Sequence, residues 1–393
     1  MSSALDAVRK EYGREDRRPK LGAELAKLVE AREKGWEKIV DHMVDWMGLE
    51  VQNRQDPDRR DKQDKTEAVN YFFTNVRWHV KDPESRGYIR AKLLTAEDTK
   101  GNPYRTFCAT NWLGQLNYGM DTSFTLLDKH MKSGEIAERS TVVRSIELDT
   151  AKMMRPDDMG EAVKVMDRVI PDYLKIMAED YGSMQTMYTD RTDKSSVIGC
   201  LTRWAAIAPK ETVDAVVRAS SDDQGAPDPD TGRAGITILA RALSNVPTAR
   251  QHMIASTVVG GHPNEVVMNG IGYIEDDVTD DVLKQVGKTD DIVELTSLGA
   301  TLTVKGAESL DKIIDYADSD DPATMRKGLS LLTPFIESIS RGSRQSEEGK
   351  MLAEIEAKLR ESTKLQRVLF QAESQPETRD TAVYFQQYLR HKM

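Results

Sequence analysis

Residues 197–220, VIGCLTRWAAIAPKETVDAVVRAS, decide the predicted fold. Their apolar side chains recur at intervals of three and four, which is the spacing of one face of an α-helix. A second helix begins near Lys210, so the stretch predicts two short amphipathic helices joined by a tight turn. Such a pair cannot bury both apolar faces by itself, because each face needs a neighbouring layer to cover it. Further helix pairs must therefore pack against this one.

Similar helix pairs are predicted to follow one another through the rest of the chain. Their openings are placed at Asp193, Thr231, His262, Thr289 and Asp321, at intervals of 27 to 38 residues. Several openings carry helix start signals, such as the Asp-Pro pair at Asp321 or a capping His262 followed by a proline at the first helical position. Stacked pairs at a period of about 30 to 45 residues are typical of an α-solenoid.

Three segments, residues 197–220, 236–257 and 294–318, resemble the HEAT/armadillo class of helical repeats. The second reads ITILARALSNVPTARQHMIAST and the third reads ELTSLGATLTVKGAESLDKIIDYAD. The resemblance covers roughly residues 191–360, and it implies stacked helical hairpins that leave one face open to a protein. The intervals vary by eleven residues, and no Asp/Arg ladder recurs from unit to unit. An irregular helical domain with hairpins of similar length is therefore the alternative.

The first 190 residues predict an irregular helical domain. Apolar residues at helical spacing predict two long helices, over about residues 21–49 and about residues 105–131. Residues 52–65 include no apolar side chain, which indicates a solvated loop. Asp82 is expected to cap another helix, because a proline follows it at the first helical position.

The expected fold class is all-α, with an N-terminal irregular helical domain over residues 1–190. A HEAT-like array would fill residues 191–393 and end in a C-terminal helix. No stretch approaches 18 consecutive apolar residues, and the N-terminus lacks the apolar core of a secretory signal, so no membrane insertion is expected. Cys108 and Cys200 cannot supply a disulfide framework and suit a reducing compartment. These features predict a cytoplasmic protein.

The charge is unevenly distributed along the chain. Residues 1–155 hold 28 Lys and Arg against 26 Asp and Glu, whereas the remainder holds 27 against 39, which gives the net −10 of the whole chain. An acidic surface repels a phosphate backbone, which argues against nucleic acid as a partner of the last two thirds. The same acidity predicts a protein partner with a basic patch, bound less tightly as the salt concentration rises. The plainer explanation is that the acidic surface keeps the protein in solution.

Motifs for catalysis or cofactor binding are not found in the sequence. There is no GxxxxGK[ST] loop, and Gly270-Ile271-Gly272 is interpreted as a close packing of two helices. None of the six histidines has another three or four residues away, as a zinc site on one helix requires. Residues 228–232, DPDTG, resemble the start of a calcium loop. However, the glycine is not at the sixth position that such a loop requires, and the twelfth position holds Leu239 where a glutamate is needed. The sequence therefore assigns no catalytic residue, no cofactor and no metal.

The leading hypothesis is a non-enzymatic protein-interaction or scaffold protein. One form of this role is a structural subunit of a larger viral or secretion-type assembly. The predicted partner-binding residues are basic side chains of the array and aromatic side chains of the last helix: Arg218, Lys284, Lys312, Lys358, Tyr384, Phe385 and Tyr388. The alternative for the last helix is that its basic end only complements the helix dipole. The oligomeric state is left open.

Two other functions are kept as alternatives. An enzyme with a cleft in the N-terminal domain would draw on polar and aromatic residues there, and their convergence on one pocket would favour catalysis: Trp78, His79, Arg105, Trp112 and His130. A nucleic-acid-binding protein would use basic residues of the first third: Arg54, Arg59, Arg60 and Lys62. Interleaved aspartates argue against this function because they cancel the positive field: Asp56, Asp58, Asp61 and Asp64.

Overall fold

The computed structural model describes residues 11–49, 58–99, 102–116, 118–133, 136–179, 193–259, 261–341 and 347–391. These residues form twenty α-helices, one short 3₁₀ turn and one ribbon of two-residue strands, which confirms the all-α prediction. Contacts divide the chain into two compact units. The first unit holds residues 1–153 and 181–200, and the second holds residues 154–180 and 201–393. The predicted boundary at residue 190 lies outside the described residues.

The helices of the first unit are α1 (Arg18–Glu30), α2 (Trp36–Trp46), α3 (Arg59–His79), α4 (Pro83–Glu97), α5 (Pro103–Gln115), α6 (Met120–Ser133) and α7 (Ile136–Met153). Helix α9 (Asp193–Ile207) begins in the first unit and ends in the second. Asp82 caps α4 by accepting a hydrogen bond of 2.8 Å from the Ser85 N–H, with Pro83 at the first helical position. This confirms the predicted start of α4.

The remaining helices of the second unit are α8 (Met159–Ala178), α10 (Pro209–Ser220), α11 (Gly232–Arg241), α12 (Pro247–Ala255), α13 (Glu265–Gly272), α14 (Thr279–Val286), α15 (Ile292–Thr303), α16 (Ala307–Ala317), α17 (Pro322–Arg341), α18 (Glu347–Glu361), α19 (Thr363–Glu373) and α20 (Arg379–His391). The strands are β1 (Val258–Val259) and β2 (His262–Pro263), paired antiparallel. Most of these helices are only two to four turns long. Because helices this short are marginally stable by themselves, they depend on packing of their apolar faces against neighbouring helices.

The two long helices predicted in the first unit are each divided into two. The chain turns between α1 and α2 at Arg32 and Gly35, whose φ angles are 51° and 89°. Gly119, with φ of 93°, separates α5 from α6 in the same way. A positive φ cannot continue a right-handed helix, and glycine adopts it without steric cost. The apolar periodicity continues through both breaks, which is why the sequence pattern alone predicted single helices.

The loop predicted over residues 52–65 is partly wrong, because α3 already begins at Arg59; residues 50–57 lie outside the described residues. Ion pairs replace apolar packing there. The buried Arg18 side chain of α1 binds Asp64 at 2.8 Å and also contacts Glu67. Further along, a Cβ at Gly22 would lie 2.8 Å from the Tyr71 backbone, so α1 and α3 pack closely.

The opening predicted at His262 is also corrected. His262 and Pro263 form strand β2, and the helix begins at Glu265 with Asn264 as its cap. The Asn264 N–H donates to the Thr257 carbonyl at 2.8 Å, which extends the ribbon to the helix start. Proline is tolerated at the start of a helix and also in an edge strand, so the His-Pro pair alone did not distinguish the two.

The second unit has a regular contact pattern in which helices contact the helix two places further along. Helices α11, α13, α15 and α17 contact one another in succession, and so do α10, α12, α14, α16 and α18. Glycine permits some of these close contacts: a Cβ at Gly270 would lie 2.8 Å from Leu239 Cβ, and one at Gly272 would lie 2.9 Å from Val304 Cβ. The interpretation of Gly270-Ile271-Gly272 as a close helix packing is confirmed.

Candidate functional site

The four basic residues predicted to bind a partner are all engaged in ion pairs within the second unit. Arg218 lies 2.7 Å from Asp167, and Lys284 lies 3.1 Å from Asp281. Lys312 binds two aspartates, each at 2.8 Å, and Lys358 binds Asp311 at 2.7 Å. A partner carboxylate would have to displace an aspartate of the chain itself at each position.

Several of these pairs belong to a series that connects successive helices of one row, from α8 through α10, α12, α14 and α16 to α18. The pairs are Asp167–Arg218, Asp214–His252, Arg250–Asp281, Asp280–Lys312 and Asp311–Lys358, at 2.7, 2.8, 3.6, 2.8 and 2.7 Å. The series is consistent with the absence of a recurring Asp/Arg ladder in the sequence, because its basic partner changes from pair to pair. Arg, His and Lys alternate as the basic partner at irregular sequence intervals, so the series forms no repeating motif.

Hydrogen bonds from Lys312 and Thr279 lower the pKa of Asp277, beside this series, to about 2. Asp277 also accepts a hydrogen bond of 2.9 Å from the N–H of Thr279, the first residue of α14. Asp228 similarly accepts hydrogen bonds from the N–H groups of Asp230 and Thr231, which forms the turn before α11. Among the described residues, no group of three or more His, Cys, Asp or Glu side chains is arranged to hold a metal ion.

The three aromatic residues predicted at the C-terminus lie in different environments. Phe385 is fully buried in the core, so it is not available to a partner. Tyr384 is 47% exposed, and Tyr388 is half-buried. The most exposed large apolar side chain among the described residues is instead Phe370 of α19, which is 75% exposed.

Phe370 lies in a groove between α19 and α20, which we call the C-terminal groove. Its volume is about 510 Å³, and its lining residues are Arg360, Gln366, Leu369, Phe370, Gln386, Leu389 and Arg390. Leu369 and Leu389 supply apolar surface beside the exposed ring of Phe370, and Arg360 and Arg390 supply positive charge. Arg360 binds Glu356 at 2.5 Å, whereas Arg390 has no acidic partner within the described residues.

The sequence contained a signal for Phe370 that was not used. In α19 the buried residues Leu365, Val368, Leu369 and Ala372 follow helical spacing and occupy the core face. Phe370 falls one position beyond that face, where a large apolar side chain is left in water. An apolar residue outside the core stripe of an amphipathic helix is therefore the pattern that predicts this groove.

The five residues proposed for an enzyme do not meet in one pocket. Trp78 and His79 are exposed at the end of α3, whereas Trp112 stacks on Phe73 with ring centroids 5.3 Å apart. Arg105 faces Asp45 at 3.7 Å, and His130 is buried. Four cavities in the described part of the chain have volumes of about 390, 410, 510 and 80 Å³; Trp78 lines the second, and none of the other four residues lines any of them.

His130 and Lys129 both contact the buried Glu97 carboxylate of the first unit. His130 Nε2 lies 3.0 Å from Glu97 Oε1, and Lys129 Nζ lies 2.6 Å from Glu97 Oε2. Burial raises the pKa of Glu97, but hydrogen bonds from His130 and Lys129 outweigh it and hold that pKa below its ordinary value. The cluster joins α4 to α6 and has the character of a structural ion pair.

The basic residues proposed for nucleic acid are only partly described. Arg54 and Asp56 lie outside the described residues, and Arg59 and Arg60 are exposed on the first turn of α3. Asp61 is bound to Lys65 at 2.6 Å. Arg59 and Arg60 line none of the four cavities named above.

Comparison with known proteins gave no match to a protein-family model, to a curated protein or to a solved structure. No helix in the described ranges combines the length and the apolar character that crossing a membrane requires.

Proposed function

We propose that this protein is a non-enzymatic interaction protein that binds a protein partner in the C-terminal groove. The observation that carries the proposal is Phe370, whose ring is 75% exposed beside Leu389 in a concave surface of about 510 Å³. Exposing a phenyl ring to water costs free energy that burial against a partner recovers. Aromatic side chains in such depressions are frequent anchors of protein interfaces.

The helix contacts of the second unit support a scaffold role. Contacts between alternate helices from α10 to α18 are those expected of stacked helical hairpins, the HEAT-like arrangement that the sequence resembles. In such a stack each helix pair is covered by its neighbours. The C-terminal groove lies between α19 and α20, which both contact α17, and a partner segment would pack between these two helices.

The chemistry of the groove defines the partner segment. Phe370 and Leu389 favour an apolar side chain, and Arg360 and Arg390 favour carboxylates beside it. The segment is thus a short apolar stretch flanked by Asp or Glu. The partner with a basic patch, inferred above from the acidity of the array, would bind a different surface. Charge reversal at Arg390 separates the two, because it weakens binding of an acidic segment only.

The proposal is tested by selecting peptides from a random-peptide library displayed on phage, with the full-length protein as bait. We expect enriched peptides to combine an aromatic or aliphatic residue with neighbouring Asp or Glu. Synthetic versions should bind the native chain, lose most of their affinity for Phe370→Ser and lose affinity for Arg390→Glu. The matched control is Tyr273→Ser, since Tyr273 is a similarly exposed ring at 63% that lies outside the groove.

Two results would contradict the proposal. The first is enrichment of peptides that bind the Phe370→Ser variant as tightly as the native chain. The second is enrichment of basic peptides whose binding is unchanged by Arg390→Glu. Photo-crosslinking from position 370 in cells of the native source then identifies the natural partner. If the crosslinked product were a dimer of this chain, the partner in the groove would be a second copy of the same protein.

A further inference from the structure

The first unit contains a second concave surface, which we call the basic groove. It consists of two adjoining cavities of about 390 and 410 Å³ whose linings share Arg77, Gly114, Gln115, Ser145 and Leu148. Helices α5 and α7 form its walls, and the end of α3 contributes Arg77 and the neighbouring Trp78. A Cβ at Gly114 would lie 3.1 Å from Ser145 Cβ, so the two walls approach closely between the cavities.

Basic side chains dominate this groove although the whole chain is acidic. The lining includes one acidic residue, Asp149, and five basic residues: Arg77, Lys81, Arg86, Arg144 and Lys152. Lys152 binds Asp149 at 2.7 Å, and Arg86 donates to the Leu116 carbonyl at 2.6 Å. In the described part of the chain, the side chains of Arg77, Lys81 and Arg144 have no carboxylate partner, although the Lys81 backbone N–H donates to the Glu30 carboxylate at 2.6 Å. Three positive side chains without a paired carboxylate in one groove form a site for a ligand with several negative charges.

An aromatic ring lies in the same groove. Trp78 is 64% exposed, and the Arg77 guanidinium lies 5.2 Å from its ring centroid. The other four tryptophans, Trp36, Trp46, Trp112 and Trp204, are buried. An exposed indole beside a guanidinium offers a planar surface on which a nucleic-acid base can stack.

The walls between the charged residues are polar. The Gln115 side-chain amide donates to the Asn111 carbonyl oxygen at 3.1 Å, which leaves the Asn111 amide hydrogens and the Gln115 side-chain oxygen available to a ligand. Thr141, Arg144, Leu148 and Lys152 follow one another at intervals of three and four along α7, so they face the groove together. Hydroxyl, amide and guanidinium groups in this arrangement suit bases and phosphates better than they suit apolar side chains.

We propose that the basic groove binds a short segment of single-stranded nucleic acid. One base stacks on Trp78, and successive phosphates pair with Arg77, Lys81 and Arg144. Two adjoining cavities provide room for more than one nucleotide, and an exposed indole distinguishes this ligand from a phosphorylated peptide, which has phosphate but no base to stack. The acidic remainder of the chain limits the contact to this groove, since its charge repels a longer phosphate backbone.

The proposal is tested by titrating the full-length protein with fluorescein-labelled oligothymidylate of about ten nucleotides. We expect saturable binding and quenching of the exposed Trp78. Trp78→Phe should abolish the quenching while retaining most of the affinity, and Trp78→Ala should weaken binding by about tenfold, as expected for loss of one stacked base. Three phosphate contacts predict that log K falls by about 2 for each tenfold increase in salt.

The charge contacts are tested with Arg77→Ala and Arg144→Ala, each of which should reduce that salt slope by about 0.7. Arg59→Ala with Arg60→Ala is the matched control, since both arginines are exposed in the same unit and outside the groove. Thermal unfolding of each variant verifies that it is folded. Equal affinity for heparin and oligothymidylate, tighter binding of a phosphopeptide, or no effect of Trp78→Ala would each overturn the proposal, as would the absence of binding.

Discussion

The Arg139 Nε atom lies 2.9 Å from the Asp193 Oδ2 atom, and both side chains are almost completely buried in the first unit. The pair connects α7 to the first residue of α9, and the second Asp193 oxygen accepts a hydrogen bond of 2.8 Å from the Lys194 N–H. Two opposite charges in a place that water hardly reaches stabilise each other, and a variant that removes one of them deprives the other of this contact.

We expect Arg139→Met to lower the free energy of unfolding by about 3–5 kcal/mol, because the buried Asp193 carboxylate loses its contact with the Arg139 guanidinium. The double variant Arg139→Met/Asp193→Asn removes both charges and keeps a hydrogen-bond acceptor for Lys194. It should therefore lose less stability than Arg139→Met alone. Urea unfolding monitored by circular dichroism measures both. A double variant that is less stable than the single one would show that the pair does not act as a unit.

The last helix offers a comparison between two neighbouring aromatic residues. Phe385 is fully buried and Tyr384 is 47% exposed, with their rings 6.2 Å apart. Phe385→Ala should cost about 3–5 kcal/mol by leaving a cavity in the core. Tyr384→Ala should change the free energy of unfolding by less than about 1 kcal/mol. Thermal unfolding of the two variants checks this, and similar losses at both positions would contradict the different burial of the two rings.

The sequence predicted helix type and many helix starts because those depend on local chemistry. Asp82 and Asp321 were correctly assigned as caps, since an aspartate before a proline satisfies the first free N–H groups of the helix that follows. The break at Gly119 was missed, because the apolar periodicity runs through it and a glycine within a helical pattern does not announce a positive φ.

The candidate site was harder to predict because it depends on contacts between residues distant in sequence. Lys358 was predicted to bind a partner, but its amine is bound to Asp311, 47 residues away. Arg77, Gln115 and Arg144 share the basic groove although they lie on three different helices. Only Trp78 was singled out in advance there, as a polar-aromatic residue of the N-terminal domain. A single sequence does not reveal which side chains pair across helices when the number of residues between the two partners varies from pair to pair.

The ion pairs between successive helices of the second unit predict a salt effect. Arg218 and Asp167 are about half exposed, so the pair contributes at most about 1 kcal/mol and salt screens it. We expect Arg218→Ala to be slightly less stable than the native chain at low salt and equal to it at about 1 M salt. Thermal unfolding at the two concentrations measures the difference. A deficit that persists at high salt would show that Arg218 acts through packing of its aliphatic stem.

The buried Glu97 cluster predicts a loss of stability in acid. Burial raises the pKa of Glu97, but hydrogen bonds from His130 and Lys129 hold it below the ordinary value of 4.5. A carboxyl whose pKa is lower in the folded state stabilises that state above its unfolded pKa, and this contribution is lost as the pH falls through the folded pKa. Glu97→Gln should therefore destabilise the protein at pH 7 and flatten the decline of stability below about pH 4.5. Urea unfolding at several pH values tests this, with Glu33→Gln as the exposed control; an unchanged pH profile in Glu97→Gln would contradict it.

The thiol of Cys108 should react slowly in the folded protein. Burial raises the pKa of Cys108 to about 11, so at pH 8 only on the order of one thiol in a thousand is the reactive thiolate. In a Cys200→Ser variant, labelling by a disulfide reagent should be slow in buffer and become fast in urea, where the thiol regains its ordinary pKa. A folded variant, verified by circular dichroism, that labels as fast in buffer as in urea would show that Cys108 is open to water and ionises normally.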